Sequence, residues 1–404
     1  MIKKRARPEK PAIFGGPRAM ATPFPAMLPG AGRIGKAEER AVLSVLRSKR
    51  LGRHASSSSR VGELERRFAR RLGVPHALAV NSGASALACA LVGLGIGRGD
   101  EVLVPAYSWI TTAAAVRSVG AVPVLVEIDD SLTLDVADAE RKTTRRTKAV
   151  VAVHMRGAPC RMDALGRLAR RRGLTVLEDV AQAAGGSFRG KPLGGFGDAA
   201  AFSFQQSKIM ASGEGGLVAS SGRLIHARSQ SHHDGSVPPA EGEWLPGLNL
   251  RMSELEGAVA LVQLARLDRA VADMRRHKKA LKERLAETVR ARGVRFRALH
   301  DPKGDAGVAL IMLMPSAPQA GLVARALCAE GIGARVLYEP NRPDLHVYRF
   351  WAPVLSVAGR AARVCPATLD LLGRALHLDI SPELSPRAID GIALGVRKVF
   401  GAFL

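Results

Sequence analysis

Lys208 stands where a solvated lysine is rarely found, between the apolar run Ala199 to Phe204 and the glycine-rich Ser212-Gly213-Glu214-Gly215-Gly216. Partial desolvation and a neighbouring cation lower a lysine's pKa and free its amine to attack a carbonyl near neutral pH, as a Schiff-base lysine does. Ser203, inside the same run, offers a hydroxyl to a phosphate. A lysine in a tight surface turn is the plain alternative. Upstream, the apolar run Leu174 to Glu178 leads into Asp179. A carboxylate at the end of such a run is costly to bury unless a cation meets it. A protonated pyridine nitrogen is one such cation, and holding it protonated makes its ring an electron sink for a carbanion. A helix N-cap at Asp179 is the competing reading.

Two further segments bear on the same chemistry. Asn81-Ser82-Gly83-Ala84-Ser85 follows an apolar run and opens a helical pattern, Ala86 to Gly95. A small turn of this kind lets backbone N–H groups approach a phosphate while the helix dipole favours its charge. Many such turns bind nothing. Trp109, in Val104-Pro105-Ala106-Tyr107-Ser108-Trp109, follows another run and could stack on a flat heteroaromatic ring, although tryptophan packing in a core is the ordinary role. Each signal has an everyday explanation; the ordered set of turn, aromatic, aspartate and lysine points to pyridoxal phosphate (PLP).

These residues need a scaffold that brings run ends together. Short apolar runs at His76 to Val80, Glu101 to Pro105, Pro123 to Ile128, Ala149 to His154, Leu174 to Glu178, Ala199 to Phe204 and Gly216 to Ser220 alternate with amphipathic helical stretches. This is the βαβ rhythm of an open, mostly parallel sheet in an α/β fold, whose ligands bind beyond the strands' carboxyl ends. A long helical pattern from Met252 to about Arg292 bridges to strand-like runs at Val308 to Met314 and Arg335 to Tyr338 and helical ones at Gln319 to Glu330 and Arg387 to Phe400. The expected division is an N-terminal arm over 1–30, a large domain over 31–290 and a smaller C-terminal α/β domain over 291–404. The arm is expected to run over the surface, outside the catalytic core, and Ser56 to Ser59 to form a flexible loop.

A chain of 404 residues with 47% apolar content can bury a large core, which excludes a disordered or fibrous protein. Apolar runs too short for a bilayer and the lack of a leader-like N-terminus predict a soluble, cytoplasmic protein without membrane contact. Cys89, Cys160, Cys328 and Cys365 lack the spacing of a zinc site or a disulfide framework, so no metal is expected. The net charge of +24 suits an anionic partner, but only 4% of residues are aromatic and no nucleic-acid-binding motif is present, so nucleic acid is not expected.

The wording of several stretches resembles the DegT/DnrJ/EryC1/StrS sugar aminotransferase family of fold-type I PLP-dependent transferases. They are Asn81 to Ser85, Asp100 to Trp109, Glu178-Asp179-Val180-Ala181-Gln182-Ala183, Phe196 to Phe204, Ser207-Lys208, Gly213-Glu214-Gly215-Gly216 and Gly247-Leu248-Asn249-Leu250-Arg251-Met252. The resemblance covers roughly residues 30 to 400. It implies that Lys208 carries PLP as a Schiff base and shuttles protons, that Asp179 pairs with the pyridine nitrogen, that Gln182 contacts the ring's 3-hydroxyl and that Trp109 stacks on its face. Gly83, Ala84, Ser85 and Ser203 would hold the phosphate. Asn249 would reach the phosphate in a neighbouring subunit, which implies an isologous homodimer with shared sites.

Some positions depart from the family pattern. Ala84 replaces a common threonine, so Ser85 is expected to compensate; Ala184 stands for the usual histidine and Arg156 for a common aromatic. The last two touch substrate contacts more than cofactor contacts. The implied reaction moves an amino group from L-glutamate or L-glutamine to a keto-cyclitol or keto-sugar, in antibiotic or polysaccharide biosynthesis. The wording around Gln205-Gln206-Ser207-Lys208 is closer to the glutamine-dependent cyclitol branch and to aminohydroxybenzoate synthases; a nucleotide-diphospho-keto-sugar is the alternative acceptor. Elimination or oxidation on the same scaffold is a further alternative, and a non-enzymatic PLP-binding sensor would call for a missing lysine or a DNA-binding domain.

Overall fold

The computed structural model describes residues 10–21, 24, 25, 27–53, 56–236, 244–352 and 364–404. Residues 1–9, 22, 23 and 26 of the expected arm lie outside them.

The apolar runs become the strands β1 (His76–Val80), β2 (Glu101–Pro105), β3 (Val122–Val126), β4 (Thr147–Val153) and β5 (Thr175–Asp179). A small hairpin follows, β6 (Ser187–Phe188) and β7 (Lys191–Pro192), before β8 (Ala199–Ser203) and β9 (Gly216–Ser220). Seven of them form one sheet in the order β1-β9-β8-β5-β4-β2-β3. Strands β3, β2, β4, β5 and β8 run parallel, while β9 lies antiparallel between β8 and β1. Helices cover the sheet, so β2, β8 and β9 are buried along their whole length, which is why they read as continuous apolar runs rather than alternating ones.

The helices here are α1 (Lys36–Ser48), α2 (Arg60–Leu72), α3 (Gly83–Gly93), α4 (Thr111–Ser118), α5 (Val136–Lys142), α6 (Met162–Arg172), α7 (Arg223–His233) and the 38-residue α8 (Glu254–Ala291). Of these, α2, α3, α5 and α8 begin where an N-cap side chain satisfies one of their first N–H groups. Ser82 Oγ caps α3 by accepting Ser85 N–H (3.1 Å). The run Ser56 to Ser59 ends differently from the flexible loop expected: Ser59 is buried, caps α2 through Gly62 N–H (3.0 Å) and donates to Glu254 Oε1 of α8 (2.7 Å). That hold falls on Ser59 alone; Ser56, Ser57 and Ser58 are exposed in the turn before it.

Beyond α8 a second sheet, ordered β10 (Arg295–Phe296), β11 (Ala309–Leu313), β13 (Ala375–Asp379), β12 (Ala334–Val336), is antiparallel throughout. Helix α9 (Ala317–Ala329) packs on this sheet, and the terminal helix Pro386–Phe403 packs on α9 and α8. The N-terminal arm is tied down rather than lying loosely on the surface. Buried Glu330 accepts Ala12 N–H (2.7 Å) and Ala19 N–H (2.8 Å) and pairs with Lys398 Nζ (3.0 Å). Further along, Gly30 N–H donates to the carbonyl of Lys208 (3.0 Å), and a Cβ at Gly30 would come within 2.9 Å of that oxygen. The arm therefore braces the loop that carries the lysine. No helix among the described residues is long and apolar enough to cross a membrane.

Candidate active site

The parallel strands end at one edge of the sheet, and the residues beyond β2, β5 and β8, with the start of α3, enclose a cavity of about 380 Å³. Gly83, Ala84 and Trp109 line it from the first half of the chain; Asp179, Gln182, Ser203 and Lys208 line it from the second.

Asp179 is the last residue of β5, and its carboxylate is buried. Thr112 Oγ1 of α4 donates to Oδ2 (2.9 Å) and Ala181 N–H to Oδ1 (3.1 Å). Burial raises its pKa above the usual carboxylate value, more than these bonds and the Lys208 charge lower it. The Ala181 bond is the local, cap-like contact that the sequence allows. It leaves unanswered the burial of a charge with no ion-pair partner among the described residues, in the wall of a cavity.

Lys208 approaches from the turn after β8, in which its own N–H donates to Gln205 carbonyl (2.9 Å). Burial lowers its pKa most; Asp179 opposes the shift, Arg156 adds to it and Glu214 opposes it, and the net result lies below the usual lysine value. Such an amine is uncharged, and so nucleophilic, in a larger fraction of molecules at neutral pH.

Opposite, the start of α3 presents N–H groups without an intrahelical acceptor. Gly83 is needed here: a Cβ would stand 2.7 Å from Ser203 Cβ and 3.0 Å from its Oγ. Ser82 joins Gly83, Ala84 and Ser203 in the wall. Ser85 does not line the cavity; its Oγ donates to Asn81 Oδ1 (2.6 Å) inside the turn. The hydroxyl beside Ala84 is thus that of Ser82.

Trp109 is 43% exposed and stands 4.8 Å, centroid to centroid, from His346, so its ring forms the rim of the cavity instead of core. Asn249 lies elsewhere, in a separate groove with Asp234, Trp244 and Arg251, bridged to Asp234. Its own chain's cavity is not lined by it.

One contributor, Thr112, carried no local signal. Thr112 is an ordinary residue of a helix start until the fold brings it to Asp179. Gln182 Oε1 accepts Arg156 N–H (3.2 Å), which turns its amide NH₂ the other way. Behind the cavity, Glu178 accepts N–H groups from Gly194 (2.8 Å), Phe196 (2.7 Å) and Gly197 (2.7 Å), and bonds His154 Nε2 (3.0 Å). Cys160 N–H points at His154 Nδ1 (3.1 Å), so Nε2 carries the ring proton toward Glu178. Burial opposes the charge on Glu178, but the His154 bond and the loop N–H groups overcome it and hold the carboxyl below its usual range.

The cavity fits a flat cation carrying a phosphate. Buried Asp179 has no ion-pair partner among the described residues, a glycine cradle at the α3 N-terminus suits an anion, and a partly desolvated lysine lines the same cavity. The fold and this arrangement together define a fold-type I PLP-dependent transferase.

The chain belongs to the DegT/DnrJ/EryC1/StrS aminotransferase family, whose profile matches residues 33–397. It is 43% identical over 213 residues to the GDP-perosamine synthase of Caulobacter vibrioides, a match covering 52% of this chain and 57% of that protein. It is 38% identical over 293 residues to the L-glutamine:2-deoxy-scyllo-inosose aminotransferase of Streptomyces paromomycinus, covering 68% of each. Several of these curated relatives are thus matched over only about three-fifths of their length. The crystal structure of 3-amino-5-hydroxybenzoic acid synthase superposes with a TM-score of 0.81 at 27% identity, over 94% of this chain and 99% of that one.

Proposed function

We propose that the chain is an aminotransferase that takes an amino group from L-glutamine or L-glutamate and places it on a keto-cyclitol or keto-sugar. The observation that carries this reading is that a buried, uncompensated Asp179 and a desolvated Lys208 line one cavity. PLP, when bound, supplies an electron-accepting ring that tolerates negative charge on the carbon bearing the amine. Asp179 would keep the proton on that ring's nitrogen. Lys208 would hold the cofactor through its amine, and the same amine is placed to carry a proton to or from the substrate carbon. The N–H groups of Gly83 and Ala84, with Ser82 and Ser203, would bind its phosphate, while Trp109 at the rim would limit water and Gln182 would help to orient the ring. The donor leaves as its 2-oxo acid and the ketone carbon keeps the nitrogen, so no external oxidant or reductant is needed.

Asn249 supports a homodimer with composite sites, because it lies outside its own chain's cavity beside exposed Trp244 and Leu248. We carry the same division into an arm over 1–30, a large domain over 31–290 and a small domain over 291–404, with a cytoplasmic location. A keto-cyclitol acceptor agrees with relatives named for 2-deoxy-scyllo-inosose; a nucleotide-diphospho-keto-sugar agrees with the relative named GDP-perosamine synthase.

Purified protein should absorb visible light with PLP, and borohydride should fix the cofactor on Lys208. The absorbance should be lost on adding L-glutamine or L-glutamate and return on adding a keto-cyclitol or a nucleotide-linked keto-sugar; the acceptor that restores it identifies the branch. Full turnover in Lys208→Ala would exclude the reading.

A further inference from the structure

A second cavity, of about 290 Å³, adjoins the first and shares Gln182, Lys208 and His346 with it. Its other walls differ in character: Arg156 and Arg335 bring guanidinium groups into it, and His377 and Asp379 come from β13 of the second sheet.

Arg156 has an unusual backbone. It sits at φ 52°, ψ 41°, in the left-handed region, and is followed by Gly157 at φ 79°. A long L-residue is strained in that conformation and persists there only when its surroundings over-determine it. They do so here. Arg297, itself buried, donates Nη2 to the Arg156 carbonyl (2.7 Å) and Nη1 to that of Met155 (3.2 Å). Gln182 accepts the Arg156 N–H, and a Cβ at Gly157 would come 2.9 Å from Val308 Cγ2. Behind Arg297 stands Asp305 (3.5 Å), which also accepts from buried Lys278 (2.6 Å). Three separate parts of the chain thus fix one strained turn, and its effect is to aim Arg156 at the cavity beside Lys208.

The side chain arrives with binding capacity to spare. Its Nε donates to Tyr107 Oη (3.3 Å), which sets the guanidinium plane, and its two Nη groups meet no acceptor among the described residues. Asp379 Oδ2 is taken by Arg335 Nη1 (3.1 Å), so Asp379, like Asp344, acts on Arg156 through charge alone and makes no hydrogen bond to it among the described residues. His377 is fully buried, yet neither ring nitrogen has a hydrogen-bond partner; Asp379 Oδ1 stands 3.4 Å from Nε2 without hydrogen-bond geometry. Burial first, then the nearby guanidinium groups, keep the ring neutral, with one N–H to give. An unpaired fork and an unpaired ring N–H around one small space match a planar anion with two acceptor oxygens.

We propose that this second compartment binds a carboxylate of the amino-acid donor, with Arg156 as the group that engages it and His377 as a further donor. The proposal rests on the aminotransferase reading above. The donor's amine must come to the region of Lys208, and its α-carboxylate hangs from the same carbon, so a guanidinium in the adjoining cavity orients the donor as it enters.

The test is calorimetric titration of the PLP-loaded protein with glutarate, a dicarboxylate that has no amine and cannot react, and with glutaramide, its neutral counterpart. Glutarate should bind the wild type at least tenfold more tightly than glutaramide. Arg156→Gln should abolish that preference and Arg156→Lys retain part of it. The apparent Kd for L-glutamine in the half-reaction without acceptor should rise at least tenfold in Arg156→Gln. Equal affinities of the wild type for the two ligands would overturn the proposal even if neither variant folds, and so would unchanged glutarate and L-glutamine binding in a folded Arg156→Gln protein. A wild type that performs no half-reaction with any amino acid would instead remove the aminotransferase reading, and this proposal with it.

Discussion

Glu178 and Asp179 are adjacent in β5 yet serve opposite sides of the sheet edge: Glu178 gathers the N–H groups of Gly194, Phe196 and Gly197 beneath the site, while Asp179 faces the cavity. The alternation of a β-strand puts the two carboxylates apart. One is fully answered by the protein and the other is left for a ligand, which is the distinction between a structural and a working acid.

Asp179 should therefore behave differently with and without cofactor. Its folded pKa is raised, so the stability it contributes is present below the unfolded value, about 3.9, and is lost as pH rises toward the folded one. At neutral pH the cofactor-free Asp179→Asn protein should melt no lower than the wild type. With PLP bound, the same variant should lose at least about a hundredfold in turnover, the scale of removing one preorganised electrostatic partner. Near-native turnover would show that Asp179 serves only its Ala181 turn.

Glu178→Gln should destabilise the fold by about 3 kcal/mol, because the amide has one acceptor oxygen and turns donors toward donors. The folded carboxyl has a lowered pKa, so its contribution is present above the unfolded value, about 4.3, and disappears as pH falls through the folded one. Urea unfolding of both proteins should show a gap that is widest near neutrality and narrows on acidification. A gap independent of pH would mean that packing, not charge, explains the loss.

Gly83→Ala puts a methyl 2.7 Å from Ser203 Cβ at the phosphate end of the cavity. Overpacking of this kind costs about 1–3 kcal/mol, so PLP affinity should fall tenfold or more. Equilibrium titration of the cofactor-free variant with PLP measures it. Unchanged affinity would separate the α3 turn from the phosphate.

Composite sites predict complementation. Lys208→Ala and Asn249→Ala would damage different halves of each site, and a mixed dimer holds one site with both wild-type residues. Equal mixing with free exchange should restore roughly a quarter of wild-type activity, since about half of the dimers are mixed and half of their sites are whole. Recovery no greater than the sum of the parents, or a monomer in sedimentation, would show that Asn249 acts only within its own chain.

Much of the site was legible because its signals are local. A lysine between an apolar strand and a glycine turn, an aspartate closing a strand and a glycine opening a helix are each read within a few residues, and the strand rhythm says that their ends meet. The β9 strand is a limit of that reading: its apolar run predicts a strand, but periodicity carries no direction, and only the pairing Ala199↔Ser220 shows it antiparallel in a parallel sheet.

The sequence by itself determined which residues could hold a phosphate, a pyridine nitrogen and a carbonyl, because those roles follow from side-chain chemistry and strand position. Tertiary structure alone decided how those groups are tuned. The Thr112 bond to Asp179, the hold of Gly30 on the Lys208 loop, and the strained turn at Arg156 fixed by Arg297 all join segments distant in the chain. Burial and long-range contact set charge, pKa and aim, and neither is a property of any stretch short enough to read as a motif.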